Sequence, residues 1–248
     1  MLRNRDPLVY FLLTLTGLCF AQCLAGIYSF IASPALSDAT VNVQPGFRLA
    51  AIFLFLFGGL CVLWLAKSDA PKLLGIVLLL LGAAYSYQFS KSFTNPVARI
   101  LFLSPTEAFL PFILWLFAFI FPANKTLRLG AIIALLCVFS ISFGLFIINL
   151  LFLLGFFPAN HALSSLDHLT QVGKKATLYD SIVYLLAMFS LLIGCIRYLL
   201  NKSLKTKANR VFFYGLSISL LLPSLYIVGT VFLPDQASRY DTALKIIA

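Results

Sequence analysis

From Leu129 to Phe156 the chain carries no charged side chain. As a helix, at about 1.5 Å per residue, that run exceeds the roughly 30 Å hydrocarbon core of a bilayer. A helix facing water keeps a polar stripe, and this one has no room for it. Comparable apolar runs recur at about 8–32, 48–66, 73–89, 105–121, 181–200 and 211–233. They are continuous, unlike the alternating ten-residue segments of a membrane barrel. The pattern predicts an all-α fold: one polytopic transmembrane bundle, spanning 1–248, of seven helices. Composition agrees. The 248 residues are 61% hydrophobic and 10% charged, where a soluble domain averages about a quarter charged.

Orientation is read from the loops. Arg197 to Arg210 holds five basic residues and no acid between two apolar runs. Short loops dense in Lys and Arg stay cytoplasmic. Alternation from this loop puts the N-terminus in the cytoplasm, with Arg3 and Arg5 ahead of an uncleaved first helix; cleavage near Ala35 is the alternative. Of the 18 Lys and Arg residues, 11 then lie inside. The net charge of +10 collects at helix ends, which points to anionic lipid headgroups and away from nucleic acid. Seven crossings leave Pro234 to Asp241 outside. Ala243, Leu244, Ile246 and Ile247 then rise in apolarity. That reads as the start of an eighth span in a longer protein, or as a short interfacial helix ending a complete one.

Local signals refine the helices. Gln22 falls mid-helix and should face protein, because an amide in lipid lacks a partner. Asn149 and Gln88 are the other polar groups expected within the bilayer. Gly58–Gly59 offers close backbone approach, and Gly75 and Gly82, seven apart, share a face. Asp69 can cap the third helix, with Pro71 in its first turn. Ser104-Pro105-Thr106-Glu107 has the form of a capping box with proline in the first helical position. Pro111 should kink the fourth helix and Pro223 the seventh. Leu163, Leu166, Leu169 and Val172 recur every three residues, as in a short interfacial helix.

Few residues suggest chemistry. His161, Asp167 and His168 share the longest outer loop and could meet a metal ion or a proton, although zinc wants three or four ligands; an ordinary polar loop face explains them equally. Phe109, Phe112, Trp115, Phe117, Phe119 and Phe121 crowd the fourth helix. Lipid and helix contact accounts for them, and a pocket for an apolar ligand beside Pro111 and Trp115, with Pro223, is the sharper alternative. The five cysteines lie in apolar runs and read as small buried residues. Every Asp, Glu, Lys and Arg lies near a helix end, which argues against a proton-coupled transporter and an intramembrane hydrolase. No nucleotide loop, nucleophile elbow or zinc-protease motif occurs, so nothing nominates a catalytic residue or a cofactor.

Leu110 to Pro122 (L-P-F-I-L-W-L-F-A-F-I-F-P) resembles a helix of the multi-pass N-terminal membrane regions of bacterial sensor histidine kinases of the competence quorum-sensing type. Asn209 to Pro223 (N-R-V-F-F-Y-G-L-S-I-S-L-L-L-P) is similar to another. The resemblance implies a sensory or anchoring domain in a bacterial inner membrane, ahead of a cytoplasmic kinase or phosphatase domain, and a homodimer. The chain departs from it by holding no kinase motif and having a short first outer loop, and no residue role carries over. Two other readings stand beside it: a small complete membrane protein that binds or moves an apolar solute, and a lipid-directed enzyme using His161, Asp167 and His168.

Overall fold

The computed structural model describes residues 7–32, 43–86, 101, 104–121, 129–153 and 178–200. Among these, all regular structure is helical: α1 (Pro7–Ala32), α2 (Val43–Leu65), α3 (Asp69–Ser86), a 3-10 turn (Thr106–Phe109), α4 (Leu110–Ile120), α5 (Leu129–Leu153) and α6 (Leu178–Leu200). There are thus six α-helices among the described residues rather than seven, and the expected helix at 211–233 lies outside them. The interfacial helix at 163–172 also lies outside. Three helices are long and apolar enough to cross a membrane, over Pro7–Ile31, Asp69–Ser86 and Leu129–Leu151. By that measure the chain is a membrane protein, helical among its described residues.

Boundaries shift for physical reasons. α2 starts at Val43, before the expected 48. Pro45 and Gly46 therefore fall in its first turn, where a missing N–H removes no helical bond. α3 likewise takes in the Asp69 turn, with the acid at its N-terminal end, where a negative charge is favoured.

The chain divides into two compact units. The first holds α1 to α5 with the 3-10 turn; the second holds Phe121–Ala123 and the residues from Pro158 onward, including α6. In the first unit, successive helices alternate in direction. Gly59 lies against Gly75 and Leu56 against Gly82, so α2 and α3 are antiparallel. Cys23 lies against Gly82 and Gly26 against Ser86, so α1 and α3 are parallel. Phe109 and Phe112 of the fourth segment meet Phe11 of α1 edge-on, while Thr106 bonds Gln22, so that segment runs against α1. Phe139 meets Phe112, and Phe146 meets Phe109, which turns α5 back again.

Small residues bring α1, α2 and α3 together. A Cβ built on Gly26 would lie 2.6 Å from Ser86 Cβ, and one on Gly82 would lie 3.0 Å from Cys23 Sγ. At Gly59 and Gly75 each added Cβ would meet the other's carbonyl oxygen at 3.0 Å. Lipid offers no hydrophobic drive for helices to associate, so close packing of this kind must hold them. The outer faces are apolar instead. Trp64 is 87% exposed, and Leu54, Leu65, Ile31, Tyr28, Leu129 and Leu136 are also exposed. In water each such aliphatic side chain would forgo about 1.5–3 kcal/mol of burial; against lipid tails that loss does not arise.

An interrupted fourth span as the candidate functional site

The fourth segment does not begin as its sequence suggests. Instead of a capping box opening an α-helix, Ser104 is a bend, Pro105 sits at the cap position with φ −77° and ψ 68°, and Thr106–Phe109 is a 3-10 turn without a side-chain cap bond. Thr106 N–H donates to Ser104 O at 2.8 Å and Ala108 N–H to Pro105 O at 3.1 Å. The hydroxyls that looked like caps serve a tertiary partner.

That partner is Gln22 on α1, 2% exposed. Its Nε2 donates to Ser104 O at 2.8 Å and to Ser104 Oγ at 2.9 Å, with Leu101 O at 3.4 Å beside them. The Thr106 hydroxyl donates to Gln22 Oε1 at 2.6 Å. Carbonyls only accept, so Nε2 must face Ser104 O, and Oε1 is left to accept from Thr106. Ser104 Oγ donates onward to Leu101 O at 3.4 Å. Cys19, one turn before Gln22, places its thiol within hydrogen-bonding reach of the Thr106 side chain. The expectation that Gln22 faces protein is met, and its partners are backbone and hydroxyl groups of a non-helical stretch.

The depth of this contact follows from α1. Cys19 lies twelve residues after Pro7 and thirteen before Ala32, at the middle of a helix about 38 Å long. With α1 centred on a hydrocarbon core about 30 Å thick, Gln22 is about 11 Å below the nearer face. The 3-10 turn and α4 together extend only about 24 Å. On that placement the fourth span is interrupted inside the membrane. Irregular backbone at that depth is tolerated only where protein or a water-filled cavity surrounds it. Here Ser104, Pro105 and Thr106 are all buried, and Gln22 supplies the donor that lipid lacks.

Pro111 is fully buried and falls at the second position of α4. The expected mid-helix kink takes the form of a change of helix type, from 3-10 to α, just ahead of the proline. The Glu107 carbonyl, which the ring deprives of its α-helical donor, accepts the Leu110 N–H instead. Trp115, four residues on, is half-buried and meets Phe119 edge-on at 5.9 Å. Phe109 and Phe112 are helix contacts, sharing a cluster with Phe11, Phe139 and Phe146 at centroid distances of 5.1–6.3 Å. Offset and edge-on pairs of this kind add about 0.5–1.5 kcal/mol beyond the area they bury.

His161, Asp167, His168 and Pro223 lie outside the described residues. Among those described, no three His, Cys, Asp or Glu side chains gather to hold a metal ion. The cysteines separate: Cys19 and Cys23 are buried, whereas Cys61 and Cys137 are exposed on outer faces and Cys195 is intermediate. The expectation of five buried cysteines holds for the two between α1 and its neighbours. In the second unit, Arg197 donates to the Phe121 carbonyl at 3.3 Å, a use of the basic cluster's first residue that the loop pattern does not foretell.

Glu107 lies at a helix start, as expected, on the turn that meets Cys19 and Gln22 of α1. The sequence signal that could have located that contact is the pairing of a mid-helix glutamine with a hydroxyl-rich break elsewhere. No protein-family model, no curated protein and no solved structure matches this chain.

Proposed function

We propose that the chain is a membrane-embedded sensory or anchoring domain of a bacterial signal-transduction protein, with a cytoplasmic N-terminus. The observation that supports this reading most is the latch between Gln22 and the interrupted fourth span. A switch needs an element that can exchange one set of contacts for another, and a broken span held by a few side-chain bonds is suited to that role. α1, α4 and α5 carry no Asp, Glu, Lys, Arg or His, which favours a signal-receiving scaffold over a lipid-directed enzyme. The experiment is to read the encoding frame beyond Ala248. A further apolar run and then a soluble kinase or phosphatase domain is the expected result. A stop codon directly after Ala248 would overturn the anchoring role.

A second reading, a small protein that binds or moves an apolar solute, is favoured by the same interruption, since broken helices commonly line substrate sites. Uptake of a labelled apolar solute into vesicles carrying the chain, abolished by disrupting the Gln22 latch, would select it.

A further inference from the structure

α2 ends at Leu65 and α3 begins at Asp69, so a tight turn joins them. α3 is long and apolar enough to span, which puts its first turn at a membrane surface. The antiparallel register of the two helices fixes the levels. Leu63 packs on Gly75, so Trp64 lies level with Leu74. Lys72 is two residues nearer the turn, about 3 Å beyond the level of Trp64. Lys67 follows Trp64 by three residues, on the same side. On the parallel helix α1, Cys23 packs on Gly82, and the same counting brings Tyr10 level with Asp69.

The side chains at this level suit a headgroup layer. Trp64 is 87% exposed, and Tyr10 and Leu65 are exposed as well. Tryptophan and tyrosine favour that layer, where one ring meets both acyl chain and water. Lys67 and Lys72 are exposed too. Their apolar stems can lie along the protein while the ammonium groups reach the headgroups. Asp69 is the single acid between them in the chain. It is half-buried in the first turn of α3, where a negative charge favours the helix start. The turn as a whole keeps a net positive charge.

A second observation comes from the outer face of α2. Leu54, Phe57, Cys61 and Trp64 follow one another at helical spacing, and all four are exposed. Residues three and four apart share a helix face, so they form one apolar stripe. It leads from the two lysines toward the middle of the bilayer. Charged groups at one end and an apolar track below them match the two parts of a phospholipid. Charge complementarity selects its kind, because a zwitterionic headgroup brings no net charge to meet two ammonium groups, whereas an anionic one does.

We propose that the α2–α3 turn is a selective site for an anionic phospholipid: Lys67 and Lys72 hold the headgroup phosphate, and the stripe below Trp64 carries an acyl chain. The proposal goes beyond the sensory reading and needs no output domain. A lysine close to the surface favours an anionic headgroup by a factor of about five. The pair, opposed in part by Asp69, sets a preference on the order of tenfold over a zwitterionic lipid.

The test uses the full chain with Trp115→Phe, so that Trp64 alone fluoresces, in mixed bilayers of phosphatidylglycerol and phosphatidylcholine. In one preparation only the phosphatidylglycerol chains are brominated, in the other only the phosphatidylcholine chains. Trp64 should be quenched more strongly in the first, and high salt should narrow the difference by screening the lysines. Adding Lys67→Gln and Lys72→Gln together should make the two preparations equal, and the corresponding arginine pair should keep them apart. The comparison of the two preparations stands alone if a lysine variant does not assemble. Equal quenching of Trp64 in the two preparations, or a difference that persists in the double glutamine variant, overturns the proposal.

Discussion

The Thr106 hydroxyl donates to the Gln22 side-chain carbonyl at 2.6 Å, joining residues 84 positions apart in the chain. This bond, with the two from Gln22 Nε2 to Ser104, is what permits a span to stop being helical inside the bilayer. Removing it tests the architecture directly. Gln22→Leu should destabilise the protein by about 1–2 kcal/mol, because the hydroxyl of Thr106 and the groups of Ser104 lose their buried partner. A double-mutant cycle with Thr106→Val, by unfolding in mixed micelles, should give a coupling of about 0.6–1.7 kcal/mol. Thr16→Val is the control. Its hydroxyl bonds only Leu12 O within its own helix, and its loss should be near neutral. A coupling of zero between Gln22 and Thr106 would remove the latch.

Close packing between α1 and α3 makes a steric prediction. Gly26→Ala places a methyl group 2.6 Å from Ser86 Cβ, so the helices must part, at about 1–3 kcal/mol. Gly17 and Gly130 have nothing within 4 Å of an added Cβ. Alanine there should be neutral or slightly stabilising, since it raises helix propensity. Equal effects at Gly17 and Gly26 in the same unfolding assay would contradict the packing.

The two tryptophans report different surroundings. Trp64 is almost wholly exposed, whereas Trp115 is half-buried beside Phe119. In bilayers containing brominated lipids, Trp115→Phe, which leaves Trp64, should show the stronger fluorescence quenching. Weaker quenching of Trp64 than of Trp115 in the Trp64→Phe protein would mean that the apolar outer face of α2 is covered by protein.

Orientation is checked from outside the cell. In a background without native cysteines, an impermeant thiol reagent should label a cysteine placed at Ser165 and miss one at Ser203. Labelling at Ser203 in intact cells would reverse the whole assignment of loops.

Much of the helical layout was open to sequence reading because lipid imposes so simple a rule. A span must be apolar and must satisfy its own backbone, and that rule marks α1, α3 and α5 in one pass. The need of Gln22 for a partner followed from the same rule. What escaped was identity at a distance. Ser104, Pro105, Thr106 and Glu107 have the local form of a capping box, and capping is a local property. The hydroxyls were claimed instead by a side chain on α1, and nothing within ten residues of Ser104 announces that. Pro111 was read as kinking the middle of a helix, and it falls at the second position of α4 instead. Cys61 and Cys137 were assigned to the interior by composition, but in lipid an apolar residue faces outward as readily as inward, so hydropathy does not distinguish the two.

The pairing of Gln22 with Ser104 also sets a timetable for biosynthesis. Gln22 enters the membrane 82 residues before the groups that satisfy it exist. At about 5–20 residues per second, the ribosome needs on the order of 4–16 s to supply them. Only late in that interval, once α3 is complete at Ser86, can α1, α2 and α3 close on one another through Gly26, Gly59, Gly75 and Gly82, while an unpaired amide waits on the flank of α1. The nascent chain thus passes through a stage in which the Gln22 amide lacks the partners it has in the folded protein, and the arrival of Ser104 and Thr106 ends it.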